Sequence, residues 1–331
     1  MRVLVTGASG YVGSRLVAAL LANGHQVVAT ARVPSRLSAF DWAPGVPTAA
    51  LEVHDAQSCA TAFATHGPLD VAYYLVHGIG HGDYRARDRA GAATFATAAR
   101  AAGVQRVVYL GGLVPPDEEL SEHLASRAEV GEVLARYGPP LVWLRAAVVL
   151  GAASTSYELI RYLADWLPVV PTPPWMSTLV QPVAVDDVLR YLVAGAGAQV
   201  PPGHYDIAGD EVLAYRELFL HYTRVARLRR LLVPVRGVST ADAAWVVSQL
   251  TPIPGGLVRD LVRSLANTMI SRNDRIREFV GDPPGGLTTI TDAMTRARVS
   301  SAAPRSRLPG VSANPDPLRL CRSDADWAHR R

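Results

Sequence analysis

A short apolar run, Arg2-Val-Leu-Val-Thr6, leads without interruption into a turn with glycines at 7, 10 and 13. No other feature limits the fold of this chain as strongly. Gly7 permits a tight turn after a buried strand, Gly10 lets backbone N–H groups approach a ligand, and Gly13 lets the next helix pack close. A helix N-terminus attracts anions, so the loop is built to hold a pyrophosphate. Val12, Leu16 and Leu20 recur at helical spacing, Asn23-Gly24 supplies the stop, and residues 26–30 return as a β-rich run. Strand, glycine turn, helix and strand within about thirty residues make a dinucleotide-binding unit. An ordinary glycine turn is the reading these flanks disfavour.

The alternation continues. Strands are expected near 48–53, 69–76, 106–110 and 141–150, with helices near 56–64, 87–102 and 120–137. That order predicts an α/β fold, a Rossmann-type doubly wound parallel sheet, over residues 1–150. From 151 the pattern loosens into a proline-rich stretch at 167–175. Helices are expected near 185–194, 215–227 and 240–250, with a break at 251–256. Residues 151–299 are therefore expected to form a smaller, mostly helical substrate region packed on the first. Residues 300–331, rich in Ser, Pro, Arg and Asp, are expected to be a flexible tail.

Composition excludes several function classes. With 331 residues and 49% apolar content the chain can bury a large core, yet no apolar run is long enough to span a bilayer. No signal-peptide pattern precedes the first strand, so a cytoplasmic location is expected. Cys59 and Cys321 are too few and too far apart for a disulfide framework or a CxxC metal site, and no metal is expected. The net charge of +4 is modest and its arginines are scattered, which argues against nucleic acid. The cluster Arg224, Arg227, Arg229 and Arg230 reads as a solvated helix end. All 33 basic residues are arginine. Lysine chemistry is thereby excluded, including Schiff bases, a Walker-type phosphate lysine and a lysine-assisted tyrosine acid.

The second strand ends Ala29-Thr-Ala-Arg32, with Arg36 one helical turn later and no carboxylate at the place where one would receive the adenosine ribose hydroxyls. Two guanidinium groups there suit a 2′-phosphate, which favours NADP over NAD. Solvated loop arginines are the alternative.

The signature Thr6-Gly-Ala-Ser-Gly-Tyr-Val-Gly13, the arginine after strand two, residues 141–151 and Gln181-Pro-Val-Ala-Val-Asp-Asp187 together resemble the extended and atypical short-chain dehydrogenase/reductase superfamily. The likeness covers about residues 1–290 and is closest to its NmrA-like and complex-I-associated NAD(P)-binding branch. It implies a Rossmann-type fold with Thr6, Gly7, Ser9, Gly10, Tyr11, Val12 and Gly13 at the pyrophosphate, and Glu52 and Val53 near the adenine. Leu75, Val76 and His77 would line the cofactor after strand four, Gly111 and Gly112 after strand five, and Ala146, Ala147 and Val148 would approach the nicotinamide.

The superfamily's usual serine and Tyr-x-x-x-Lys pair are absent. Gly111-Gly112-Leu113 stands where the serine is expected, and the helix reads His123-Leu-Ala-Ser-Arg127 in place of tyrosine and lysine. Arginine can hydrogen-bond ribose hydroxyls, and a histidine one turn earlier on the same helical face suits acid–base work, its pKa lowered by Arg127. His123 and Arg127 are the catalytic candidates; a merely structural His123 beside a cofactor-holding Arg127 is the other reading. Tyr84, Tyr157, Trp175, Met176 and Trp245 are candidate walls of an apolar substrate pocket, or simple core.

Three functions fit. An NADP-dependent oxidoreductase of a hydrophobic small molecule, as monomer or homodimer, is favoured over a non-catalytic NADP(H)-binding redox sensor and over a redox-neutral isomerase or cyclase. The missing residues are those that would decide among them.

Overall fold

The computed structural model describes residues 1–78, 83–115 and 118–302, with side chains through 299. In its first half β1 (Arg2–Val5), α1 (Tyr11–Ala22), β2 (Gln26–Ala31), β3 (Thr48–Ala50), α2 (Ala56–His66), β4 (Val71–Tyr74), α3 (Tyr84–Ala101), β5 (Arg106–Gly112), α4 (Glu122–Tyr137) and β6 (Leu141–Ala146) alternate as expected. Then come β7 (Val149–Leu150), α5 (Thr155–Trp166), β8 (Val169–Thr172), β9 (Leu179–Val180), β10 (Val183–Ala184), α6 (Val185–Gly195) and β11 (Gly203–Ile207). The remainder is β12 (Leu213–Ala214), α7 (Tyr215–Val225), β13 (Leu231–Pro234), α8 (Thr240–Leu250), α9 (Gly255–Ser264), α10 (Ile276–Val280) and α11 (Ile290–Ala302).

Seven strands form one sheet in the order β3-β2-β1-β4-β5-β6-β11, and every neighbouring pair is parallel. The winding reverses between β1 and β4, and a crevice opens there at the carboxyl ends of the strands. Side chains of a strand alternate between faces, so β1 supplies two cores. Val3 and Val5 pack with Leu16, Leu20, Val188 and Leu192 of α1 and α6, whereas Leu4 packs with Phe63, Phe95 and Leu134 of α2, α3 and α4. Both faces are covered, which is why the strands read as continuous apolar runs.

The last strand of this sheet comes from beyond residue 150. β11 pairs with β6 from Gly203↔Val142 to Ile207↔Ala146. Asp206 Oδ1 accepts from Arg145 Nε at 2.7 Å, and its Oδ2 accepts the N–H groups of Arg272 at 2.8 Å and Asn273 at 3.1 Å. A third apolar cluster joins Tyr157, Leu218, Phe219, Tyr222 and Met294, and a fourth holds α8 to α9 through Ala244, Ile253, Val258 and Val262.

Several elements depart from the sequence expectation. α5 occupies part of the stretch where the pattern loosens, and the expected break at 251–256 is shorter, because α9 starts at Gly255. The proline-rich stretch contains β8, paired in parallel with β13. α11 runs into the start of the expected tail, whose residues from 303 lie outside the described residues. Among the described residues no helix is long and apolar enough to cross a membrane.

Candidate dinucleotide and substrate site

Gly7 has φ +64°, and its carbonyl accepts the Gly10 N–H at 2.8 Å. A Cβ on Gly13 would stand 2.1 Å from the Gly7 oxygen, and one on Gly7 would stand 3.0 Å from the Leu75 oxygen. Only glycine fits at 13, and the loop is held between α1 and the end of β4. The first turn of α1 has N–H groups without intrahelical partners. A tight cradle of backbone at a helix N-terminus fits a pyrophosphate. The side chains beside it are structural. Thr6 Oγ1 donates to Tyr73 O at 2.9 Å and accepts from Leu75 N at 3.0 Å, clasping β1 to β4. Tyr11 lies under the Arg15 guanidinium, 4.1 Å from ring centroid to carbon, while Arg15 donates to Tyr11 O and Ala152 O and so ties α1 to the 151–153 loop. Ser9 and Val12 are half-buried at the rim.

Arg32 follows β2 directly, and Arg36 lies in the 3-10 turn Pro34–Ala39. Both are exposed, and among the described residues neither forms an ion pair. Val53 is buried in the cluster with Phe63 and Phe95, and Glu52 Oε1 accepts from His54 N at 3.3 Å.

Leu75, Val76 and His77 follow β4, and Asp88 of α3 fixes the next residue by accepting Gly78 N at 2.8 Å. Ser126 Oγ donates to the other Asp88 oxygen at 3.4 Å. Burial raises the Asp88 pKa, and Arg127 pulls it back. Solvent reaches the His77 side chain, yet crowding by the chain and the charge of Arg127 hold its pKa well below the usual histidine value. Tyr109 Oη donates to the backbone oxygen of Arg127 at 3.0 Å, and the Arg127 guanidinium also acts on this phenol. Among the described residues no carboxylate reaches ion-pair distance of that guanidinium.

The start of α4, which carries His123, is capped by its own serine and held by residues 264 and 267. Ser121 Oγ caps Leu124 N at 3.3 Å and meets Ser264 Oγ at 2.8 Å, while Ser121 N donates to Asn267 Oδ1 at 3.2 Å. Burial, then Arg127, push the His123 pKa down to about 3. Its imidazole is neutral at every physiological pH. Side chains have little room at the end of β5: a Cβ on Gly111 would lie 2.6 Å from Trp143 Nε1, and one on Gly112 would press Leu124 Cδ2 at 3.2 Å.

An apolar cavity of ≈ 310 Å³ opens at the carboxyl ends of β5 and β6. Leu110, Gly111, Gly112, Ala146, Ala147 and Val148 form its floor, with His123 and Arg127 in one wall. The opposite walls are aliphatic and aromatic: Leu159, Ile160 and Leu163 of α5, Leu218 and Phe219 of α7, and Met269. Ser156, Tyr215 and Ser264 supply further polar atoms. Burial raises the Tyr215 pKa, so its phenol keeps its proton.

Trp175 and Met176 line this cavity; Tyr84, Tyr157 and Trp245 do not. Tyr157 is wholly buried against Tyr222, 5.8 Å between ring centroids, and Tyr84 is buried at the start of α3. Trp245 is 67% exposed, because α8 turns Val247 inward and a residue two positions away faces about 200° around the helix. Asp83 caps α3, accepting from Ala86 N at 3.5 Å, and residues 79–82 lie outside the described residues. Sequence reading missed Ser156, Tyr215, Leu218 and Phe219. The helical spacing of 215, 218 and 219 was the available signal.

A family model described as NAD(P)H-binding matches residues 7–147. The chain is 36% identical over 116 residues to a 3-beta-hydroxysteroid dehydrogenase of Mycolicibacterium neoaurum, covering 33% of this chain and 31% of that protein. It is 29% identical over 236 residues to an uncharacterized protein of Mycobacterium tuberculosis, covering 71% of this chain and 24% of the other. The chain thus spans less than a third of the length of either curated relative. Among solved structures, a nucleoside-diphosphate-sugar epimerase from Staphylococcus aureus superposes with a TM-score of 0.71 at 16% identity, over 89% of this chain and 100% of that one. The NADPH-dependent quinone oxidoreductase of Escherichia coli in complex with NADPH gives 0.70 at 18% identity, over 88% and 98%. At these identities the likeness is one of fold.

Proposed function

Because the chain carries an NAD(P)H-binding domain on the fold of the extended and atypical short-chain dehydrogenase/reductases, we propose that it is an NADP-dependent oxidoreductase of a hydrophobic small molecule. The observation that carries this reading is the apolar cavity at the ends of β5 and β6, with His123 and Arg127 in its wall. Bound there, the nicotinamide dinucleotide supplies or accepts hydride. The 7–13 loop would hold its pyrophosphate, Arg32 and Arg36 its 2′-phosphate, and Arg127 its ribose hydroxyls. His123, with a pKa near 3, is a neutral hydrogen-bond donor that polarises a substrate oxygen, and the transferred proton comes from water. That role differs from the proton exchange expected of an ordinary histidine.

The apolar lining favours a hydrophobic substrate over a sugar nucleotide, which carries a charged diphosphate and many hydroxyls. The absent serine, tyrosine and lysine keep two alternatives in play, a redox sensor that binds NADP(H) without turnover and a redox-neutral isomerase or cyclase. Fluorescence titration with NADPH and NADH, followed by hydride loss over hydrophobic carbonyl, imine and enone compounds, separates them. The oxidoreductase prefers NADPH and turns over, and His123→Ala slows it about 100-fold. Tight binding with no turnover on any compound would point to the sensor or the redox-neutral reading.

A further inference from the structure

The outer side of the C-terminal region presents apolar side chains that no described element covers. β13 pairs with β8 so that Leu231 lies opposite Val169 and Val233 opposite Pro171. Alternation along this two-stranded ribbon buries Val170 and turns Val169, Leu231 and Val233 outward, at 49%, 62% and 37% exposure. Trp166, at the end of α5 and three residues before Val169, is 55% exposed.

The charge along the stretches that carry this patch is mainly positive. The stretches 164–172 and 227–238 contain Arg227, Arg229, Arg230 and Arg236 against a single carboxylate, Asp165. Asp165 is engaged by Tyr222 Oη at 3.1 Å and by Arg161 at 3.7 Å. Arg230 pins the ribbon to α5 by donating to Ala164 O at 2.5 Å and Asp165 O at 3.1 Å. Arg227, Arg229 and Arg236 are exposed, and among the described residues they form no ion pair.

An apolar centre with a tryptophan, bordered by unpaired cations, complements a surface that is apolar within and anionic at its rim. A second copy of the chain would bring like charge against like. We infer that this face docks the protein on an anionic membrane surface, with Trp166 and Leu231 entering the headgroup boundary and Arg227, Arg229 and Arg236 meeting lipid phosphates. Leu163, one turn before Trp166 on α5, lines the substrate cavity, so the docked face lies beside it. Docking does not depend on the proposed reaction.

Co-sedimentation of the full chain with phosphatidylcholine vesicles, with and without phosphatidylglycerol, tests this at low and high salt. Binding is expected to the anionic vesicles, weakened by salt, and at least tenfold weaker for Trp166→Ser/Leu231→Ser and for Arg227→Gln/Arg229→Gln/Arg236→Gln. Each variant's Tm reports on folding, and the single exposed change Arg236→Gln, expected to weaken binding two- to threefold, serves if the multiple variants unfold. Absent binding, or binding equal in all variants, overturns the inference. So does a dimer in solution that Trp166→Ser dissociates, which gives the face to a second copy. Binding that appears only on removal of residues 303–331 gives the face to the chain's own C-terminal segment instead.

Discussion

Arg32 and Arg36 stand exposed beyond β2 without a carboxylate, where a guanidinium pair forks onto a phosphate better than onto a ribose hydroxyl. Replacing either with alanine should therefore weaken NADPH about tenfold, or ~1.4 kcal/mol, while leaving NADH nearly unchanged. Equal loss for both dinucleotides by titration would remove the 2′-phosphate role. His123 makes a different prediction, about acid. Its folded pKa near 3 lies below the ordinary 6.5, so below pH 6.5 the unfolded chain binds a proton that the folded chain refuses. Stability is present in full above pH 6.5 and falls as the pH drops toward 3, by on the order of 3 kcal/mol at pH 4 from this group. Urea midpoints of His123→Gln should fall less between pH 7 and pH 4 than those of the unsubstituted protein. Parallel curves would show that the imidazole protonates freely.

Elements are coupled through Trp143 of β6. A Cβ on Gly111 would sit 2.6 Å from its Nε1, and one on Gly131 of α4 would sit 2.5 Å from its ring, so one indole sets the closeness of β5, β6 and α4. Placing a serine at the end of β5 by Gly111→Ser should cost roughly 1–3 kcal/mol, and Gly111→Ser with Trp143→Leu should cost less than the two changes summed. Tm values of the single and double variants measure this, and additive losses would refute the coupling. The sequence showed β1 to β6 and their helices because buried parallel strands and amphipathic helices follow apolar periods. It hid α5 and β11 because each buries an ion pair. Glu158, wholly buried on α5, meets Arg161 at 2.5 Å, and Asp206 on β11 meets Arg145 at 2.7 Å, so positions that read as surface are interior. The glycine loop was legible for the same local reason as the strands. The cavity was not, since its walls come from residues far apart in sequence and an aromatic residue alone does not reveal which way its helix turns it.

For the molecule as a whole, Asp206 is the knot between the sheet and the C-terminal region: one carboxylate holds Arg145 of β6 and the backbone of Arg272 and Asn273. Removing it leaves a largely buried arginine and two N–H groups without their acceptor. Asp206→Ala should cost about 3–5 kcal/mol in denaturant unfolding, far more than a surface change. A loss below ~1 kcal/mol would show that water replaces it. The position of β11 also sets an order of events during synthesis. A ribosome delivers the chain from its N-terminus, and β6 emerges some sixty residues before the strand that covers its edge. Until Ile207 has left the tunnel, the nascent sheet carries a bare parallel edge beside an unpaired Arg145, and a chaperone or a second nascent chain has that interval in which to find it.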